Sequence, residues 1–299
     1  MGLIASQVAL ACGVGAQLGE GPVWVEREAA VWFVDIKGRR LHRFDPASAQ
    51  LRSWETPEQA GFVVPVRDRA DSRGRMLAGL KTGLHEFDPA TGSFTLLTRV
   101  EPHLPDNRLN DATVCADGTL WFGSMDDLQI RPSGSLYRLG LDGRCVPLDT
   151  GYVITNGPAF CPHALTFYHT DTNERVVYAF DRDKSGAISG RRVFARIEAS
   201  DGYPDGTTVD AEGCVWIAMW GGWGVRRYSP SGELLSTIRV PCSNVTKIAF
   251  GGPDYRSVFV TTAWIGLSAA ARAEQPLAGD LFRFETDVPG LPSHELRLS

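Results

Sequence analysis

Two carboxylates and two amides share one phase of a recurring sequence pattern. Asn110 lies 11 residues before Trp121, Asn156 lies 11 before Phe167, Asp205 lies 11 before Trp216, and Glu20 lies 12 before Trp32. A structural repeat with this spacing would bring residues far apart in the chain to one point. Glu20, Asn156 and Asp205 would then offer two carboxylates and an amide carbonyl. That all-oxygen donor set suits a hard divalent cation such as Ca2+, Mg2+ or Mn2+, with Fe2+ and Zn2+ left open. Glu20 and Asp205, with no Lys or Arg of their own nearby, would repel each other. Ionisable groups in a crowded interior need pairing, hydration or a metal, and one divalent metal cation removes the conflict. Three protein ligands leave coordination positions for water and substrate, as a catalytic site requires. The plainer reading is that each residue caps a turn. It fits any one of them alone and leaves their shared phase without a cause.

The elements that must position these residues are short strands. Six apolar runs recur: Val31-Trp32-Phe33, Met76-Leu77-Ala78, Leu120-Trp121-Phe122, Thr166-Phe167-Tyr168, Val215-Trp216-Ile217 and Val258-Phe259-Val260. Their centres are 45, 44, 46, 49 and 43 positions apart. A further strand-like segment follows each: 41–44, 84–87, 136–139, 176–180, 225–228 and 281–284. Turn residues punctuate them, among them Asp45-Pro46, Asp88-Pro89, Asp142-Gly143, Ser72-Arg73-Gly74 and Asp117-Gly118, because Asp, Gly and Pro supply tight turn geometry. Such a four-stranded unit every ~40–50 residues marks a propeller. The expectation is an all-β fold, a six-bladed β-propeller with four-stranded antiparallel blades, formed by residues 1–299 as one domain. No amphipathic helix pattern competes. If each clear run is the second strand of its blade, the in-phase residues open the innermost strands at one mouth of the channel. Val66 and Ile248 are the apolar counterparts in the other two blades. The loops after the second strands should wall the pocket, which makes Asp126, Asp127, His169, Trp220, Trp223 and Trp264 candidate substrate contacts.

Composition agrees and excludes much. The 299 residues include 32 glycines and 18 prolines, as many short strands joined by turns require. The net charge of −5 and the lack of a basic patch argue against nucleic acid as a partner. No apolar run reaches the ~18 residues of a membrane span, and nothing points to an obligate protein partner. The six cysteines show no paired CxxC spacing, which favours reduced thiols and a cytoplasmic setting, although an even count permits disulfides. Ala9-Leu10-Ala11-Cys12 weakly resembles a lipoprotein cleavage site and Met1-Gly2 a myristoylation start; both are read as chance. Asp181 to Gly186 resembles the start of an EF-hand, but Arg192 stands where that loop needs its acidic ligand, so a hairpin turn is expected. No dinucleotide fingerprint, nucleophile elbow, phosphate loop or histidine-rich zinc motif is present.

The strings LGEGPVW, RLNDATVCADGTLWFGS, ITNGPAF and YPDGTTVDAEGCVWIAMWGG resemble the regucalcin/gluconolactonase/luciferin-regenerating family along essentially the whole chain and in the same order. The resemblance implies a six-bladed propeller with one catalytic divalent metal held by a Glu, an Asn and an Asp, which match Glu20, Asn156 and Asp205. The family's Asp is also its proposed base, a role that falls on Asp205. The Arg-x-Asn-Asp string places Arg108 and Asn110 at its substrate contacts. Further strings, among them FVDIKGRRLHRFDP and NVTKIAFGGPD, most resemble bacterial xylono- and arabinonolactonases. Asp127 stands where animal members tend to carry Glu, which bears on the substrate rather than the chemistry. The expected function is metal-dependent hydrolysis of a sugar lactone, a pentonolactone before gluconolactone, to the aldonic acid. In it the metal polarises the carbonyl, Asp205 takes the proton of the attacking water, and Arg108, Asn110 and Asp127 hold the sugar. The alternatives are a related metal-dependent esterase or organophosphate hydrolase, which would want an apolar cleft, and a non-catalytic ligand-binding propeller.

Overall fold

The computed structural model describes residues 5–67 and 74–298. The myristoylation-like start at Met1-Gly2 and the turn residues Ser72-Arg73 lie outside the described residues. Six antiparallel sheets of four strands each form the blades of a six-bladed propeller. Within blade one the strands run Gly19–Val25, Ala30–Asp35, Arg40–Asp45 and Gln50–Glu55 from the channel outward. The other innermost strands are Ala60–Pro65, Asn107–Val114, Thr155–Phe160, Tyr203–Val209 and Val245–Gly251. Each of the six apolar runs falls in the second strand of its blade.

Burial explains the pattern of the sequence. Second strands are covered on both faces and read as continuous apolar runs. The outermost strand of blade one, Gln50–Glu55, exposes its polar residues and half-buries Leu51 and Trp54, so it reads as alternating. Aromatic side chains seal the seams between blades. Phe62 of blade two meets Phe122 of blade three at 5.8 Å, Trp121 of blade three meets Phe167 of blade four at 4.7 Å, and Trp216 of blade five meets Phe250 of blade six at 5.5 Å. Each such fully buried ring contributes about 1.5–3 kcal/mol. The turns work as their composition predicts. Asp45, Asp88 and Asp183 accept hydrogen bonds from the backbone N–H two residues on, at 2.9, 2.9 and 2.8 Å. The Asp183 turn joins strands Val176–Arg182 and Ile188–Arg196, so the EF-hand-like stretch is a hairpin.

The ring is closed by the N-terminal segment. Ala9–Cys12 is the outer strand of blade six, paired antiparallel with Leu281–Glu285. The stretch that resembles a lipoprotein site is therefore part of a blade. At the other end of the chain, residues beyond 288 cross the channel mouth remote from the in-phase residues. Gly290 bridges Asp210, and Leu296 bridges Val66. All six cysteines are free, and no helix among the described residues is long and apolar enough to cross a membrane.

Two phase assignments need correction. Val66 lies beyond the end of its inner strand, at the opposite mouth, because residues 66–75 separate the first two strands of blade two against residues 26–29 in blade one. Counting back from Leu77 therefore overshoots the strand. Ile248 is buried in the apolar core of blade six. At the mouth these two blades present Gly61 and Thr246, each at the register shift of its inner strand.

Candidate active site at one mouth of the channel

A break in strand pairing places the in-phase residues. The inner strands of blades one, three, four and five each shift register between Glu20 and Val23, Leu109 and Ala112, Asn156 and Ala159, and Pro204 and Thr207. A bulge re-aims the side chains beside it, and here it turns Glu20, Asn110, Asn156 and Asp205 into one cavity. Gly21 and Gly157 follow two of these residues with φ of +55° and +51°, backbone that favours glycine. The cavity, of about 420 Å3, is lined by all four, by Arg108 and Lys37, and by Trp220 and Tyr203 among others.

A hydrogen-bond chain ties blades three, four and five together across this mouth. Arg108 donates from Nε to Asp127 Oδ1 at 2.7 Å and from Nη1 to Asn110 Oδ1 at 2.5 Å. Asn110 Nδ2 donates to Asn156 Oδ1 at 2.8 Å and to the Thr155 carbonyl at 2.7 Å. Asn156 Nδ2 donates to Thr172 Oγ1 at 2.9 Å, and Thr172 donates to the Pro204 carbonyl at 2.8 Å. The residue before Asp205 is thereby fixed, and every amide is held in one orientation. Such a satisfied buried network is stiff.

Glu20 and Asp205 are buried and carry the strained electrostatics. Burial pushes Glu20 up to about 7, helped by the charge of Asp111 and opposed by the Gly21 N–H that Oε2 accepts at 2.8 Å. Asp205 is raised well above the usual carboxylate range by burial, then by the charge of Glu20 and Asp111 and a hydrogen bond with Glu20. In the protein alone, burial and mutual repulsion therefore favour the protonated form of these carboxylates. A divalent cation relieves the same conflict, and Asn156 Oδ1 adds a third oxygen with a lone pair to spare. The residues present thus fit a hard cation. No three His, Cys, Asp or Glu side chains converge as a metal group among the described residues; the donors here are two carboxylates with amides.

Sequence reasoning missed Lys247 and gave Arg108 to the substrate alone. Lys247 and Arg108 both lie close enough to pull Glu20 down, contrary to the expectation that the carboxylates have no basic neighbours. Lys247, buried in the inner strand of blade six, forms an ion pair with Asp111 and donates to the Ala112 carbonyl at 3.2 Å. Asp111 in turn accepts the Gly157 N–H at 2.8 Å. The available signal for Asp111 was adjacency to Asn110; for Lys247 the spacing offered none.

The predicted contacts divide. Trp220 lines the cavity. Asp127 is turned into the wall: the Lys37 ammonium donates to its Oδ1 at 2.7 Å and Gln59 to its Oδ2 at 3.3 Å. Burial works against its charge, yet Lys37 and Arg108 outweigh burial and hold it below its ordinary value. Asp126 caps its own loop, accepting the Ile130 and Arg131 N–H groups at 3.0 and 2.8 Å. His169 is wholly buried against Tyr152. Trp264 donates to the Gly15 carbonyl and stacks under Arg272. Trp223 is over a third exposed and outside the cavity lining.

Fold and site together define a six-bladed propeller with a polar, carboxylate-centred cavity at one mouth of its channel. Residues 18–264 match the family described as the SMP-30/Gluconolactonase/LRE-like region, and the chain belongs to that family. It is 35% identical over 291 residues to the L-arabinolactonase of Azospirillum brasilense, covering 96% of this chain and 94% of that one. It is 33% identical to the 6-deoxy-6-sulfogluconolactonase of Pseudomonas putida, covering 91% of this chain and 92% of that one. The crystal structure of a calcium-binding protein, regucalcin, from Agrobacterium tumefaciens superposes with a TM-score of 0.92 at 30% identity, covering 98% of each chain.

Proposed function

We propose that this protein hydrolyses a sugar lactone to its aldonic acid with one divalent cation held by Glu20, Asn156 and Asp205. The lactonase relatives support a lactone-hydrolysing enzyme. The observation that carries the reading is that Glu20, Asn156 and Asp205, all buried, line one cavity, where burial and like charge raise both carboxylates. Such coupled, desolvated carboxylates in a cleft are a functional-site signature.

When bound, the cation supplies Lewis-acid polarisation of the lactone carbonyl and stabilises negative charge on its oxygen. Asp205 holds a carboxylate where a water attacking the carbonyl carbon would shed its proton. The ring carbon–oxygen bond then breaks, and the ring oxygen leaves as a hydroxyl with that proton. Arg108 and Asn110 line the cavity and hold sugar hydroxyls; Asp127 fixes the plane of the Arg108 guanidinium. Tyr203 and Trp220 offer apolar faces to the sugar C–H bonds. A cavity of about 420 Å3 has room for a monosaccharide lactone. A pentonolactone such as xylono- or arabinonolactone is the first candidate, with gluconolactone second. The charged and amide groups among the lining residues, Glu20, Lys37, Arg108, Asn110, Asn156 and Asp205, favour a hydroxylated substrate over an organophosphate. Residues 1–299 are taken as one domain, and the six free thiols support a cytoplasmic setting.

The test is proton release measured by pH-stat on a panel of pentono- and hexonolactones, with Ca2+, Mn2+, Mg2+, Fe2+ and Zn2+ varied. Asp205→Ala should keep the wild-type circular dichroism spectrum and lose turnover by at least ~100-fold. Full wild-type turnover after complete removal of divalent metal would overturn the proposal.

A further inference from the structure

We propose that Lys37 is a specificity-determining residue, which presents its ammonium to a hydroxyl oxygen of the lactone from the wall it shares with Arg108. The proposal rests on the lactonase reading above and adds a contact to it.

The Lys37 loop is rigid. Asp35, the last residue of its strand, accepts the N–H groups of Gln17, Leu18 and Gly38 at 2.9, 3.0 and 2.8 Å. The Ile36 N–H donates to the Leu18 carbonyl at 3.0 Å. From this fixed backbone the Lys37 side chain reaches from blade one to the loop of blade three and meets Asp127 Oδ1 at 2.7 Å. The same oxygen accepts Arg108 Nε at 2.7 Å. One carboxylate oxygen therefore serves two cations and does not saturate the donors of either. An ammonium has three donor protons, and Asp127 takes one of them. Lys37 lines the cavity while Asp127 does not. The wall offers the substrate donors, and the group it recognises is an acceptor oxygen on a carbon away from the ester. A lactone without hydroxyls gains nothing from it.

A purely structural Lys37 would act through Asp127 on Arg108 and would affect all substrates alike. The test compares wild type, Lys37→Met and Lys37→Arg on a pentonolactone and on unsubstituted γ-butyrolactone. Lys37→Met should raise KM for the pentonolactone about tenfold with kcat within about threefold, the loss expected for one charged hydrogen bond. Its kcat/KM on γ-butyrolactone should stay within about twofold, because no hydroxyl contact is lost there. Lys37→Arg should recover most of the KM. Equal losses on both lactones, or no change on the pentonolactone, would overturn the assignment. Calorimetric binding of the pentonate product reads the same contact without turnover. Weaker binding in Lys37→Met supports the contact even if no lactone is hydrolysed, in which case only the hydrolase reading falls; unchanged binding overturns the contact. Thermal melts of both variants control for folding.

Discussion

Replacing Glu20 with Gln should make the metal-free protein more stable and the enzyme inactive. Glu20 is held at about 7, against an ordinary 4.5. The unfolded chain releases this proton near pH 4.5, while the folded protein keeps it to about pH 7. Folding therefore takes up a proton in that window, and stability falls as pH rises through it. Above pH 7 the ionised group costs at most about 3.5 kcal/mol, at roughly 1.4 kcal/mol for each pH unit that separates the two states. Gln keeps the shape without the charge and should recover about 1–3 kcal/mol at pH 8, since its amide must still find partners. For a chain of this size that is a rise of roughly 2–6 °C in Tm. The assay is thermal melting in a chelator at pH 4 and pH 8. The gain should appear at pH 8 and vanish at pH 4, where both states carry a protonated Glu20. Adding Ca2+ or Mn2+ should then reverse the order. A cation at a hundred times its Kd stabilises wild type by about 2.7 kcal/mol, and the variant, short of one ligand, should gain little. A chelated Glu20→Gln protein that melts below wild type at pH 8 would refute the claim that these carboxylates are in conflict.

The ion pair between Lys247 and Asp111 should behave as a buried pair. Lys247→Met leaves Asp111 uncompensated and should cost about 3–5 kcal/mol, whereas Lys247→Met with Asp111→Asn should recover most of that loss in chemical denaturation; no recovery would refute the coupling. Burial lowers His42 to about 4 and His169 to about 3, so both stay neutral when folded and take up a proton on unfolding below pH 6.5. Stability should fall with pH below 6.5 by up to about 1.4 kcal/mol per pH unit for each. Urea midpoints of His169→Phe between pH 4.5 and 8 should show a shallower acid slope than wild type, and an identical slope would show that His169 does not stay neutral.

The blades were legible because their burial is periodic. Trp32, Trp121, Phe167, Trp216 and Phe259 lie in second strands covered on both faces, so the run and its spacing survive whatever the loops do. The fourth strand of blade six was not legible, because Ala9–Cys12 reaches its partner Leu281–Glu285 only by closing the ring. Glu20, Asn110, Asn156 and Asp205 were found by phase, and the same phase failed at Val66 because one loop is longer. The charges of Lys37 and Lys247 could not be assigned from spacing. Each acts on a residue in another blade, Lys37 on Asp127 and Lys247 on Asp111, and the length of a lysine side chain hides which blade it will reach.

That reach has an energetic consequence for the whole mouth. Glu20, Asp205 and Asp111 place three carboxylates near the channel axis, and Lys247 and Arg108 place two cations beside them. Arg108 is committed in part to Asp127, so the axis is left with negative charge that the chain itself does not balance. A packed interior does not keep such an excess unless something offsets it. In the bare protein the raised pKa of both carboxylates favours a bound proton as that offset. A cation there would release that proton, because ligation favours the ionised carboxylate. Cation binding at neutral pH should therefore be accompanied by proton release, and the enthalpy of binding should change with the ionisation enthalpy of the buffer. Calorimetric titration of Ca2+ or Mn2+ at pH 6.5 in two buffers would show it. Binding with no proton exchange would mean that the carboxylates are already ionised, and that Lys247 and Arg108 neutralise them without help.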